Sequence, residues 1–134
     1  MNDDELNLND LFEHYLNVFK IYKAGDYEQE NLVLIAGQDC SLDDYILFQM
    51  EYDPDTDLPD YARSHFLTFD SIELHKGDRV RIFTRKGTDC EEVGPKTGKH
   101  YHVVYWNLDA PIWKAHDNEV KLMKSGDSKS IILL

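Results

Sequence analysis

No run of residues approaches the ~18–20 consecutive apolar positions of a membrane span, so no transmembrane helix is expected. The first residues, Met1 to Asn9, are acidic and polar, the reverse of a secretory signal's basic-then-apolar order, and the chain is expected to be cytoplasmic. Cysteine is scarce, with Cys40 and Cys90 as the only two. They could pair only if the fold brought their Cα atoms within ~7 Å, and a cytosolic setting disfavours that. Both read as small, partly buried thiols. Glycine-rich phosphate-cradling motifs are missing, as is a Ser or Cys in the strained Gly-flanked turn that exposes a nucleophile. Carboxylates are so abundant that no acid/base pair among them stands out. These absences leave no catalytic apparatus to name, and no cofactor is expected.

Basic side chains are also in short supply, 14 against 26 acidic ones, for a formal net charge of −12. The imbalance is local: residues 1–60 carry 16 acidic and 2 basic side chains, residues 61–134 carry 10 and 12. An acidic first part disfavours nucleic acid and anionic membrane as partners, because phosphate binding needs a basic surface. The charge reads as solubilising, with a dipolar molecule meeting a basic partner as the alternative. What the chain does have is aromatic residues, eight Tyr, six Phe and two Trp, and a 42% hydrophobic fraction, which exclude global disorder. At 134 residues it forms one domain.

Leu8, Leu11, Phe12, Tyr15, Leu16 and Phe19 follow helical spacing with Asn9 as N-cap, which predicts one short N-terminal helix. From about Val18 the pattern turns over into strand-like alternation. Strands are then expected at Leu32 to Ile35, Tyr45 to Tyr52, His65 to Phe69, Arg79 to Thr84, Tyr101 to Trp106, Glu119 to Met123 and Ser130 to Leu133. Breakers separate them: the Asp53–Asp60 segment with its two prolines, a Gly, Pro and Lys-rich loop over 86–99, and a hairpin turn at Ser125-Gly126-Asp127. Without long alternating helices the strands point to an antiparallel sandwich or barrel.

Some constellations could carry chemistry. Asp53, Asp55, Asp57 and Asp60 could converge on calcium, although Leu58 stands where an EF-hand needs glycine and Ser64 where it needs glutamate; the plainer account is a solvated hairpin tip. His100 and His102, at i and i+2, face one side of a strand and could share zinc or copper with a third ligand, or be ordinary sheet histidines. Arg79 and Arg81 share a strand face, and with Arg85 and Lys86 they lie in a basic stretch that also holds Phe83. A basic edge could meet phosphate or the acidic part of another copy; alternate charges are also what the wet face of a half-buried strand shows.

From about Phe19 onward the order of these pieces resembles the lamin tail domain, an immunoglobulin-like β-sandwich. The specific runs are Leu74-His75-Lys76-Gly77-Asp78 leading into the alternating Arg79 to Thr84 and a glycine turn, then Tyr105-Trp106-Asn107 with Pro111-Ile112-Trp113, then Asp117 to Leu122 with Gly126. In the first half Asp44 and Tyr45 replace the family's glycine–tryptophan pair. The resemblance implies structural roles: turns at Gly77 and Gly126, core packing at Trp106 and Trp113.

The expectation is an all-β, immunoglobulin-like antiparallel β-sandwich with one short N-terminal helix. Residues 1–16 would hold the polar segment and helix, and residues 17–134 the sandwich. The implied function is a non-catalytic module mediating protein–protein contacts, with self-association left open. A calcium- or transition-metal-binding domain using the Asp53–Asp60 loop or the His100/His102 pair is the alternative.

Overall fold

The computed structural model describes residues 15–94, 98 and 100–124. These form ten β-strands and a 3₁₀ turn over Leu42–Asp44, with no α-helix among the described residues. The strands are β1 (Leu16–Tyr22), β2 (Asn31–Ala36), β3 (Cys40–Ser41), β4 (Tyr45–Met50), β5 (His65–Thr68), β6 (Glu73–Leu74), β7 (Arg79–Phe83), β8 (Cys90–Val93), β9 (His100–Tyr105) and β10 (Glu119–Lys124). They assemble into a five-stranded sheet ordered β1-β2-β7-β9-β8, a three-stranded sheet ordered β10-β4-β5 and the short pair β3-β6. Among the described residues no helix is long and apolar enough to cross a membrane.

One core joins the two larger sheets. Leu32, Leu34 and Ala36 of β2, Val80 and Ile82 of β7 and Val104 of β9 meet Tyr45 and Leu47 of β4, with Leu67, Val120 and Leu122 packed against the cluster. Period-2 alternation puts these residues on one side of each strand. Removing each large aliphatic side chain from water contributes about 1.5–3 kcal/mol. Trp106 and Trp113, both buried, stand edge to face in this core with centroids 6.3 Å apart. The Trp106 indole donates to the carbonyl of Phe66 at 3.2 Å, which occupies a backbone acceptor of β5. Gly77 takes φ 92° in the turn before β7, a conformation that a side chain disfavours, and its N–H donates to the Ala36 carbonyl.

A buried carboxylate fixes one end of the core. Glu30 has no solvent exposure, and its oxygens accept from the Gly25 amide at 2.9 Å, the Ile112 amide at 2.9 Å and the Thr84 hydroxyl at 2.5 Å. The β1–β2 turn, the end of β7 and the Trp106–Trp113 segment are thereby held by one side chain. Buried charge needs such donors to be tolerated.

Three expectations need correcting. The helix expected over residues 8–19 lies mostly outside the described residues, and its last positions, Leu16 to Phe19, are strand. A register shift between Val18 and Lys20 breaks the alternation of β1 there, so helical spacing fitted the same letters. The sheets are not wholly antiparallel, because β7 and β9 run parallel. Between them the chain detours to the outer edge as β8, within the segment expected to be loop, and returns antiparallel to it as β9. β8 is held by its pairing with β9 and by Asp89, whose carboxylate accepts the Tyr105 amide at 2.9 Å. The turn at Gly126 and the strand over 130–133 lie outside the described residues.

Candidate functional site

The five-stranded sheet has a second face, which points away from the core. Register places Lys20 and Tyr22 of β1, Asn31, Val33 and Ile35 of β2, Arg79, Arg81 and Phe83 of β7, and Tyr101, Val103 and Tyr105 of β9 on it. Val33 and Val103 are each only 1% exposed and Ile35 4%, as buried as the core side of the same strands. Register flanks these small residues with long arginine and tyrosine side chains of the same sheet, whose stems and rings contribute cover.

Arginine and aromatic side chains alternate across this cover. The Arg79 guanidinium lies over the rings of Phe19 and Tyr101 at 5.6 and 5.9 Å, and that of Arg81 over Tyr22 and Tyr101 at 5.7 and 5.1 Å. Arg85 lies over Phe83 and Tyr105 at 5.1 and 5.0 Å, and those two rings are themselves stacked at 5.4 Å. Polar contacts set the forks: Arg81 donates to the Asn31 side-chain oxygen at 3.2 Å, Arg79 to the Tyr101 hydroxyl at 3.5 Å, and Arg85 to the carbonyls of Glu28 and Lys86 at 3.0 and 3.2 Å. Gly87 passes so close to Tyr105 that a Cβ there would overlap the ring. Its amide donates to the Asn107 side chain at 3.0 Å, so this turn backs the ring.

Among the described residues no carboxylate lies within ion-pair reach of Arg79, Arg81 or Arg85. In a chain of net charge −12 that is a pronounced local exception. Moreover, the Arg79 Nε is buried with no hydrogen-bond partner. Lys86 does not join the group. It pairs with Asp109 at 2.8 Å, and that hydrogen bond and charge hold the ammonium above the usual lysine range and the Asp109 carboxyl below its own.

The other candidate residues are placed apart from this face. Asp53 accepts the Asp55 amide through its side chain and the Asp57 amide through its carbonyl, while Asp60 accepts the Arg63 amide, so these aspartates shape their own turns. His100 and His102 share a strand face with Glu91, whose carboxylate is 3.3 Å from His100. Among the described residues no three His, Cys, Asp or Glu side chains are grouped to hold a metal ion. Cys40 and Cys90 are both free thiols. Burial, with the charge of Asp44 adding to it, pushes the Cys40 thiol up to about 11.

Sequence reasoning found the arginines of β7 but not Phe19, Tyr22, Tyr101 or Tyr105 beside them. The signal available was the matching alternation of Arg-Val-Arg-Ile-Phe and Tyr-His-Val-Val-Tyr, two strands that each carry long side chains on one face. Comparison with known proteins returns no match, whether with family models, curated proteins or solved structures.

Proposed function

We propose that this chain is a non-catalytic binding module, built as an immunoglobulin-like β-sandwich of the lamin-tail kind, that contacts a protein partner through the outer face of its five-stranded sheet. The fold reading is supported by the core shared between the five- and three-stranded sheets and by the paired tryptophans within it. The two free thiols are in keeping with a cytoplasmic setting.

The observation that carries the functional reading is the set of three guanidiniums lying over aromatic rings with no carboxylate of the described residues in ion-pair reach. Arginine and tyrosine are the residues that dominate the energetics of protein interfaces, because they offer large rigid contact area together with directed donors. The stacking already present lowers the entropy lost when a partner fixes those side chains.

Affinity capture from native lysate tests this reading. The wild-type domain and a variant carrying Arg79→Ala, Arg81→Ala and Arg85→Ala are compared at equal folded concentration. Wild type is expected to retain at least one protein that the folded variant loses; identical capture by both would overturn the assignment of the face.

A further inference from the structure

We infer that the partner presents an extended acidic segment, with carboxylates at alternate positions, along β7. This rests on the proposed binding role of the outer face. Arg79 and Arg81 stand two residues apart on one strand, so their Cα atoms repeat at ~6.6 Å, the same interval at which a partner chain in extended form presents every second side chain. Each guanidinium lies over two rings, Phe19 and Tyr101 for Arg79, Tyr22 and Tyr101 for Arg81. Planar guanidinium forks match carboxylates in bidentate fashion, and no carboxylate of the described residues is in ion-pair reach of these. Arg85 extends the row past the end of β7, over Phe83 and Tyr105.

The same details decide against single-stranded nucleic acid, the other extended anion. Base binding needs aromatic faces open for stacking. Here Phe83 and Tyr105 stack on each other with Arg85 across both, and Tyr101 carries two guanidiniums. The basic row is short, and Glu92, paired to Tyr101 on the flanking strand, puts a carboxylate beside it. A peptide can place its few charges within the row and end there, whereas a polyphosphate carries charge beyond it and past Glu92.

The test is a fluorescence-anisotropy titration of the full chain with a labelled octapeptide of alternating Glu and Thr, its Gln-and-Thr counterpart, and oligothymidylate of the same length. The glutamate peptide is expected to bind at least about tenfold more tightly than the glutamine peptide, and to weaken several-fold as salt rises from about 50 to 300 mM. Arg81→Ala should weaken it by about tenfold, and Arg81→Lys, which keeps the charge without the fork, by an intermediate factor. Equal binding of the two peptides, or tighter binding of oligothymidylate, would overturn the inference. If the glutamate peptide fails to bind while lysate capture still depends on the arginines, the acidic-segment inference falls and the binding role of the face stands. If arginine dependence is absent from both experiments, both fall.

Discussion

The two faces of the five-stranded sheet bury their central residues equally well by different means. On the inner face Leu32, Leu34, Val80 and Ile82 lie against a second sheet and the tryptophans. On the outer face Val33, Ile35 and Val103 are just as buried and have arginine and tyrosine side chains as their register neighbours. An inner residue has neighbours from other elements that cannot follow if it is truncated, whereas the outer arginines and tyrosines are partly exposed and can rearrange. Stability should therefore reside on the inner face and recognition on the outer one.

The largest expected effect is on the inner side. Trp113→Ala empties the centre of the core and should lower stability by about 3–5 kcal/mol in a urea titration; a variant melting with wild type would contradict its place in the core. Next is Glu30→Ala, which leaves the Gly25 and Ile112 amides and the Thr84 hydroxyl without their acceptor. It should cost about 2–4 kcal/mol by the same titration, and a near-neutral result would mean that water replaces the carboxylate. On the outer side Arg79→Ala should cost only ~1 kcal/mol, the scale of a partly exposed cation–π contact. A loss as large as that of Trp113→Ala would erase the distinction between the faces.

The smallest effect separates the two thiols. Cys90 is exposed at the border of the outer face, while Cys40 is half-buried and its sulfur lies 3.5 Å from the Tyr15 carbonyl. With the Cys40 thiol pushed up to about 11, only about one molecule in a thousand carries its thiolate at pH 8. Iodoacetamide followed by peptide mapping should label Cys90 first. Raising pH toward 11 should bring Cys40 into reaction, because deprotonation is what limits it; faster labelling of Cys40 at pH 8 would contradict this environment.

The alternation of β7 was readable because its neighbours β2 and β9 demand it: Val80 and Ile82 face the core, and Arg79 and Arg81 therefore face away. Which rings flank those arginines was not readable, since β1 and β9 reach them only through pairings far apart in sequence. β8 gave little local signal, because Glu91 and Glu92 are poor strand formers and tertiary pairing with β9 overrides that preference. At β1 the register shift let a helical period fit. Glu30 was one carboxylate among 26 acidic side chains, and only the three donors that converge on it mark it out.

Adjacent residues offer the most direct test of the division between faces. Val80 is fully buried on the inner side and Arg81 lies on the outer side of the same strand. The affinity of the alternating glutamate peptide for Val80→Ala and Arg81→Ala should be measured alongside each variant's urea stability. Val80→Ala is expected to lose about 2–3 kcal/mol of stability and keep the wild-type affinity of its folded fraction, while Arg81→Ala loses about tenfold in affinity and little stability. Affinity that falls with stability in both variants, or survives in Arg81→Ala, would contradict the account.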